Sequence, residues 1–295
     1  MKPLPEKVRE GLTWRRFWNI LRAPSLLWHN ARFWWNDEVS ESEHIFVVGP
    51  PRSGTTLVKN VVQSHTDVCG IEGESWFFLR SNYADVCLPG ISADTEARIV
   101  QTSRSITGLF DRWADAVKKR TDATYFLEKT PESALRLDYI TSHFPESHIV
   151  FIVRDPRDGL RSAQNFPGYW ATLPDADRVG GYLATWKRSV RAYLHHAEHK
   201  TMIRVRYEDF CQEPEAQLSG LSDKIGIEVQ DHQLDPAAYG DTEVSMNEAH
   251  SRLRQPITPD SIGRWRQELS KDEVARIERT LADEMKALNY ELTLE

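Results

Sequence analysis

The stretch His44-Ile-Phe-Val-Val-Gly-Pro-Pro-Arg-Ser-Gly-Thr-Thr-Leu57 decides the fold of this 295-residue chain. Its apolar run Ile45–Val48 ends at a glycine and two prolines, which is typical of a short buried strand. A helix is predicted over Thr55–His65. Between strand and helix, Gly49 and Gly54 have the G-x-x-x-x-G spacing of a phosphate loop, in which backbone N–H groups at a helix N-terminus bind phosphate oxygens.

Strands and helices alternate along the rest of the chain. Further strands are predicted at Tyr125–Leu127, His148–Val153 and Met202–Val205, and helices at Asp94–Lys119 (with Asp94 as N-cap), Pro131–Phe144, Pro156–Asn165, Gly180–His199, Glu213–Ile225 and Lys271–Leu288. This alternation predicts the α/β class, as a P-loop-type doubly wound parallel sheet flanked by helices. Residues 41–295 are expected to form this single domain, with ligands bound at the carboxyl ends of the strands.

Residues 1–40 are expected to form an extra helical extension. The segment Thr13–Trp35 interleaves Trp, Phe and Leu side chains with four arginines. This pattern favours two short helices, broken at Pro24, that pack their aromatic faces on the main domain. Contact with a membrane surface or with a second copy of the chain is the less favoured alternative.

Composition limits the partners of the chain. Its formal net charge is −7, which argues against bulk affinity for nucleic acid, so an anionic ligand needs a local cluster of Arg and Lys. The three cysteines have no zinc-site spacing and are expected to be reduced thiols. We expect a cytoplasmic protein, because we find neither a secretory signal at Met1–Glu10 nor an apolar stretch of 18 residues.

The phosphate loop departs from the loop of nucleotide triphosphatases. Thr55-Thr56 stands where those proteins have Lys followed by Ser or Thr, and Arg52 is the only cation in the loop. The strand His148–Val153 runs into Arg154 rather than into a magnesium-binding aspartate. These features indicate a nucleotide bound through its phosphates without a γ-phosphate or a metal ion. An unused, degenerate loop is the alternative.

Two motifs carry a resemblance to a known family. Pro51–Leu57 resembles the 5′-phosphosulfate loop of sulfotransferases that use 3′-phosphoadenosine 5′-phosphosulfate (PAPS), in the Arg version of tyrosylprotein and many bacterial sulfotransferases. Ile152–Ala163 resembles their 3′-phosphate motif, in which an Arg and a Ser eight residues later bind the phosphate. Arg154 and Ser162 have this spacing, and the matches extend from His44 to about Leu269.

The resemblance implies transfer of a sulfuryl group from PAPS to an acceptor hydroxyl, with release of adenosine 3′,5′-bisphosphate (PAP). No metal is expected to take part. The implied ligands of the 5′ end are Arg52, Ser53, Gly54, Thr55 and Thr56. Arg154 and Ser162 are the implied ligands of the 3′-phosphate, a dianion that a planar guanidinium binds well. A surface ion pair of Arg154 with Asp155 or Asp158 is the alternative.

The resemblance also implies catalytic residues. Glu74 stands near the family's catalytic glutamate and is favoured as general base, with Glu72 as its rival and His250 in reserve. Alternatively, both glutamates only stabilise a helix that starts near Ser75. Lys129 is expected to stabilise the transferring group beside Arg52, or else to pair with a neighbouring glutamate. His65 and His143 are expected to be structural.

Weaker matches extend the proposed nucleotide site. Tyr207 stands where the family has a tyrosine that contacts the nucleotide, although a core tyrosine is nearly as good an interpretation. Arg264 and Trp265 resemble a C-terminal basic–Trp element that closes over PAPS. Ser251 is a further candidate phosphate contact, and Gln255–Ser261 is expected to form a mobile lid.

The acceptor is expected to be a small-molecule, lipid or sugar alcohol, or a phenol. The basis is a group of aromatic residues that is expected to line a pocket or, alternatively, to belong to the core: Trp76, Phe77, Phe78, Tyr169 and Trp170. A tyrosylprotein sulfotransferase is an alternative within the same class. The rivals from other classes are a P-loop kinase or nucleotide phosphotransferase and a non-catalytic binding protein of the same fold.

Overall fold

The computed structural model describes residues 24–239 and 253–293, which contain a five-stranded, fully parallel sheet. The strands are β1 (His44–Val48), β2 (Val68–Gly70), β3 (Tyr125–Lys129), β4 (His148–Val153) and β5 (Met202–Arg206). Their order is β2-β3-β1-β4-β5, so that β1 pairs with β3 on one side and β4 on the other. The predicted parallel sheet is confirmed. We did not predict β2, because three residues are too few for a recognisable apolar pattern.

Helices cover both faces of this sheet. They are α1 (Pro24–Trp35), α2 (Thr55–Gln63), α3 (Ala93–Thr102), α4 (Ile106–Thr121), α5 (Leu137–His143), α6 (Pro156–Gln164), α7 (Pro167–Thr172), α8 (Arg178–His196), α9 (Tyr207–Gln212), α10 (Pro214–Ile225), α11 (Trp265–Glu268) and α12 (Lys271–Ala287). Short 3₁₀ segments lie at Phe77–Leu79, Pro131–Arg136, Asp231–Leu234, Pro236–Tyr239 and Pro259–Ser261.

The alternation of side chains along the strands divides the core in two. Phe46, Phe126 and Phe151 point to the face covered by α4, α5, α8 and α12. Ile45, Val47 and Leu127, together with Val150 and Ile152, point to the opposite face, where α2 and α10 pack. Both faces are buried, as expected for a parallel sheet whose crossover connections are helices. The carboxyl ends of all five strands therefore meet at one edge, where the predicted ligand-binding turns lie.

Two predicted helices differ in the structure. The single helix expected over Asp94–Lys119 is two helices, α3 and α4, and the predicted cap Asp94 is wrong. Ser92 caps α3 by accepting from the Thr95 N–H, and Ser105 caps α4 by accepting from the Gly108 N–H. A serine hydroxyl satisfies a free N–H of the first helical turn, so each serine starts a helix of its own.

The second difference lies between β3 and α5. The helix predicted over Pro131–Phe144 begins as 3₁₀ turns at Pro131–Arg136 and becomes an α-helix only from Leu137. Likewise, no α-helix starts near Ser75, where the described chain has a single 3₁₀ turn at Phe77–Leu79. Both segments run along the carboxyl edge of β3, where their backbones are held by side-chain contacts described below.

The described part of the N-terminal extension packs on the sheet-bearing body. In α1, the Phe33 side chain is buried in the core, and Arg32 donates to the carbonyls of Val100 and Gln101. Trp28 and Trp35 are exposed on the same helix. Residues 1–23 lie outside the described residues, so the predicted helix before Pro24 and the membrane-contact alternative stay predictions.

No helix in the described ranges combines the length and the hydrophobicity needed to cross a bilayer.

Candidate active site

The turn Gly49–Gly54 joins β1 to α2 and has the backbone of an anion-binding loop. Arg52 and Gly54 both have positive φ angles, of 66° and 92°. Gly54 is the N-cap of α2, and no side chain caps that helix end. The first N–H groups of α2 are thus left for an external acceptor, which is the arrangement that binds phosphate oxygens. The Ser53 hydroxyl is buried in the same turn and has no partner among the described residues.

Arg52 links this turn to the predicted 3′-phosphate motif. Its Nε donates to Oγ of Ser162 at 3.3 Å, and its guanidinium lies 4.3 Å from the centre of the Phe166 ring. Burial lowers the pKa of Arg52, and the nearby positive charge of Arg154 lowers it further. The two motifs recognised in the sequence therefore converge on one guanidinium, although 110 residues separate Arg52 from Ser162.

Arg154 follows β4 directly and is 6% exposed. It donates to the Ser261 carbonyl at 2.8 Å and lies 4.3 Å from the centre of the Tyr207 ring. The Tyr207 hydroxyl in turn lies 2.7 Å from Oγ of Ser261, and burial raises the pKa of Tyr207. Since β1 and β4 are neighbours, Arg154 also reaches the Arg52 carbonyl, at 3.5 Å.

Neither Arg52 nor Arg154 forms an ion pair with a carboxylate within residues 24–239 and 253–293. The ion-pair alternatives for Arg154 are not formed, because Asp155 pairs with Arg157, which also pairs with Glu278. Asp158 instead accepts the backbone N–H groups of Gly263 and Trp265. Two neighbouring guanidinium groups that form no ion pair among the described residues favour a multiply charged anion between them.

Tyr207 also closes the 5′ turn. A Cβ atom at Gly54 would lie 2.3 Å from the Tyr207 ring, so this ring occupies the space that any side chain at position 54 needs. Because Arg154 stacks on the same ring, the tyrosine joins the 5′ turn to the 3′ arginine. Its contact with a nucleotide stays a prediction, and in the structure it is a half-buried packing residue at the site.

Lys129 ends β3 and pairs with Glu74. The Lys129 Nζ atom lies 3.2 Å from Oε1 of Glu74, with side-chain exposures of 3% and 30%. The structure thus brings together two of the three predicted catalytic residues, and the Glu74 charge also reaches the third, Arg52. Glu72, the rival base, is exposed and has no hydrogen bond or ion pair among the described residues.

A fully buried carboxyl group lies behind this pair. Oε1 of Glu128 accepts from the hydroxyls of Ser75 and Thr130, at 2.6 Å each. These hydroxyls accept from backbone N–H groups of the next turn, Ser75 from Phe77 and Thr130 from Trp76, at 3.1 Å each. Burial raises the pKa of Glu128.

Sequence reasoning missed a further carboxyl group beside the site. Glu132 lies in the 3₁₀ turn after Lys129, where burial and then the charge of Glu74 raise its pKa to about 7. The opposing charge of Lys129 acts on the same carboxyl group, and the Glu132 charge reaches Tyr169. The sequence signal was the run Glu128-Lys-Thr-Pro-Glu132, in which we considered Glu132 only as a partner for Lys129.

The C-terminal element lies beside the 3′ motif. Arg264 pairs with Glu268 at 2.8 Å on the half-exposed surface, and Glu268 also pairs with Arg161. The Trp265 ring is buried, with the guanidinium of Arg157 4.0 Å from its centre. The predicted nucleotide contacts of Arg264 and Trp265 stay predictions. Ser261, the last residue of the expected lid, is the one that reaches Arg154.

The aromatic residues expected at the acceptor pocket divide into two groups. Phe77 and Phe78 are buried in the aromatic core with Phe110. Trp76 is 43% exposed, and Tyr169 and Trp170 are partly buried. Only the second group is accessible to an acceptor. Phe166, the ring under Arg52, was missed, because nothing in a loop sequence predicts which side chain turns back on an arginine.

Two of the three histidines considered in the sequence lie within the described residues. His65 bonds to the Glu228 carbonyl and His143 to Asp37 and the Tyr139 carbonyl, so both have structural partners. His250 and Ser251 lie outside the described residues. The described chain holds one group of three possible metal ligands, Asp138, His195 and His196, none of which was a predicted site residue. That no metal takes part in the reaction stays a prediction.

Comparison with known proteins agrees with this geometry. The profile of the sulfotransferase family matches residues 44–231. A putative protein-tyrosine sulfotransferase of Caenorhabditis briggsae is 23% identical over 256 residues, which cover 84% of this chain and 89% of the relative. The nodulation protein NoeE of Sinorhizobium fredii is 26% identical over 290 residues, which cover 85% of this chain and 66% of the relative.

Solved structures show the same fold. The sulfotransferase domain of the Synechococcus PCC 7002 olefin synthase superposes with a TM-score of 0.64 at 16% identity, covering 88% of this chain and 99% of that domain. The sulfotransferase domain from the curacin biosynthetic pathway gives 0.61 at 18% identity, covering 87% and 100%. The family profile spans well over half of the sequence, including both phosphate motifs. The chain therefore belongs to the sulfotransferase family, and the sulfotransferase class predicted from its two phosphate motifs is confirmed.

Proposed function

We propose that the chain binds PAPS between the Gly49–Gly54 turn and Arg154, and transfers its sulfuryl group to an acceptor hydroxyl. The observation that carries the proposal is the pair of neighbouring guanidinium groups of Arg52 and Arg154, which form no ion pair among the described residues and each stack on an aromatic ring. In this assignment the 5′-phosphosulfate lies at the N-terminus of α2 beside Arg52, and the 3′-phosphate lies at Arg154 and Ser162.

The catalytic roles follow from the positions of three side chains. Glu74 would accept the proton of the acceptor hydroxyl as general base. Lys129 and Arg52 would stabilise the negative charge on the transferring group and on the leaving phosphate, as fixed donors in a partly dehydrated site. Lys129 suits this role because its ammonium group is buried and already directed at Glu74. A reaction with these three roles would need no divalent cation.

The acceptor would approach from the side of Glu74. Trp76, Tyr169 and Trp170 are the aromatic residues of the predicted acceptor pocket that keep accessible surface, which favours an acceptor with a flat or apolar body, such as a phenol or a lipidic alcohol. Related chains named protein-tyrosine sulfotransferases make the phenol of a tyrosine side chain a second candidate. We place the enzyme in the cytoplasm as a proposal that rests on its unpaired cysteines.

A binding experiment tests the donor assignment without knowledge of the acceptor. PAP should raise the melting temperature of the protein, and the complex of ATP with magnesium should not, because a ligand that binds only the folded state stabilises it. Stabilisation by ATP with magnesium alone would favour the phosphotransferase alternative. For turnover, PAP release from PAPS is measured with 4-nitrophenol as the phenolic probe, and with a tyrosine-containing peptide and a long-chain alcohol as the other acceptors.

A further inference from the structure

Glu128 stands at a position where the sequence pattern calls for an apolar side chain. Along β3, Phe126 points to the face that holds Phe46 and Phe110, Leu127 points to the other, and Glu128 points again to the first. Its side chain is 0% exposed. Burying a carboxyl group in such a place costs free energy unless its oxygens are hydrogen-bonded.

Only one of the two oxygens of the buried Glu128 carboxyl group is hydrogen-bonded. Oε1 accepts from both Ser75 and Thr130, whereas Oε2 is buried with no partner among the described residues. A buried carboxyl group with one unpaired oxygen contributes little to stability, because the unpaired oxygen keeps its desolvation penalty. Both hydrogen bonds of Oε1 come from hydroxyls that also bind backbone N–H groups of the turn after Glu74.

That turn has a strained backbone. Trp76 has a φ angle of 56°, in the left-handed region that side-chain-bearing residues rarely adopt. Its N–H is held by the Thr130 hydroxyl, and the N–H of Phe77 is held by the Ser75 hydroxyl. The Glu128 carboxyl group holds both hydroxyls, so it determines the conformation of two successive N–H groups beside Glu74.

We propose that Glu128 is a positioning residue, which holds the turn Glu74–Trp76 so that the Glu74 carboxylate stays over Lys129 at the reaction site. The proposal rests on the assignment of Glu74 as general base. Lys129 is the residue next to Glu128 on β3 and points to the opposite face, so one short strand segment sets the position of both members of the Glu74–Lys129 pair. The two hydroxyl groups transmit the constraint, and Glu128 itself does not touch the substrates.

Four variants and one control test this arrangement. Ser75→Ala and Thr130→Val each remove one hydroxyl, Glu128→Leu removes the acceptor, and Glu128→Gln keeps a carbonyl oxygen at Oε1. Ser133→Ala is the matched control, because the Ser133 hydroxyl is also buried near the end of β3 but has no partner among the described residues. Ser75→Ala and Thr130→Val keep the proposal testable if Glu128→Leu does not fold.

The first measurement is hydrogen exchange of the PAP-bound protein over residues 74–80, which requires no acceptor. Exchange of the Trp76 and Phe77 amides should rise at least tenfold in Ser75→Ala, Thr130→Val and Glu128→Leu, but not in Glu128→Gln or Ser133→Ala. Exchange of these two amides at the wild-type rate in a folded Glu128→Leu variant, or in both Ser75→Ala and Thr130→Val, would overturn the proposal.

The second measurement is turnover with 4-nitrophenol. Ser75→Ala should lower kcat about tenfold with little change in the KM for PAPS, because the base is misplaced while the donor site is intact. In a Glu74→Gln background the same change should cost nothing more, since the group being positioned is absent. A full additional loss in that background would contradict the proposal. Wild-type activity of Glu74→Gln alone would instead remove the base assignment, while the exchange data still report on the turn.

Discussion

Nε of Arg52 and Oγ of Ser162 lie 3.3 Å apart and join the two segments, one a turn and one a helix, that resemble the phosphate-binding elements of sulfotransferases. The contact means that the 5′ and 3′ halves of the proposed PAPS site are one structure rather than two adjacent ones. A nucleotide with phosphates at both ends would contact groups that already contact each other. Such a preorganised site loses little conformational entropy when the ligand binds.

The first prediction concerns Arg154. Arg154→Ala should weaken PAP binding by about ten- to a hundredfold, since hydrogen bonds to charged groups contribute roughly 1.5–3 kcal/mol. Isothermal titration calorimetry measures the affinity, and the melting temperature without ligand checks that the variant folds. Arg276→Ala is the control, because that exposed guanidinium pairs with Asp177 outside the proposed site. Equal losses in the two variants would argue against a 3′-phosphate site at Arg154.

The second prediction concerns the base. Glu74→Gln should lower kcat by about two to four orders of magnitude, the usual contribution of general base catalysis, and should leave PAP affinity nearly intact. Glu72→Gln is the matched control, since it changes an exposed carboxylate two residues away. If Glu72→Gln is the slow variant and Glu74→Gln retains full activity, the base is Glu72.

The third prediction concerns Gly54. Gly54→Ala and Gly226→Ala both place a side chain at a positive φ angle, of 92° and 85°, and each should cost roughly 1–2 kcal/mol of folding free energy. A Cβ at Gly226 meets no atom within 4 Å, whereas a Cβ at Gly54 meets the Tyr207 ring. Only Gly54→Ala should therefore also weaken PAP binding. Denaturant unfolding and calorimetry separate the two effects, and equal affinities in both variants would contradict the role of this contact.

The fourth prediction concerns the pH dependence of stability. In the folded chain burial raises the pKa of Glu132 to about 7, above the ordinary value of 4.5 for a glutamate side chain. Between these values the unfolded chain releases this proton first, so Glu132 should make the protein less stable as pH rises from about 4.5 to about 7.

Glu132→Gln removes this dependence. Relative to the wild type, the variant should gain stability from pH 5 to pH 8, by an amount on the order of 2 kcal/mol. Urea unfolding at four pH values measures the difference, with the exposed Glu215→Gln as control. A constant difference in unfolding free energy between variant and wild type from pH 5 to pH 8 would show that Glu132 does not titrate in this range.

Much of the fold follows from local sequence patterns. β1 and β4 are continuous apolar runs buried on both sides, and such runs are recognisable without any knowledge of their neighbours. The turns after them could be predicted for the same reason, since Gly49 and Arg154 directly follow an apolar strand. The parallel sheet and the sulfotransferase class were predicted from these two strands and the turns after them, and both predictions are confirmed.

The parts that escaped prediction have two different origins, one local and one in contacts between distant segments. The break between α3 and α4 follows from the local capping serines Ser92 and Ser105, which we passed over in favour of a continuous helical pattern. By contrast, the stacking of Phe166 on Arg52 and the reach of Ser261 to Arg154 join segments whose relative positions no local pattern specifies. The same holds for Glu128, whose partner Ser75 lies 53 residues earlier.

The glycine at the end of β1 has a wider consequence. A Cβ atom at Gly49 would lie 2.2 Å from the Ile152 carbonyl oxygen, so β1 and β4 approach each other there more closely than a side chain allows. The distance between the two phosphate-binding segments is therefore determined by contact between the main chains of β1 and β4. Redesign of the acceptor surface around Trp76 and Tyr169 should therefore leave donor recognition unaltered, which makes this scaffold suitable for engineering new acceptor specificities.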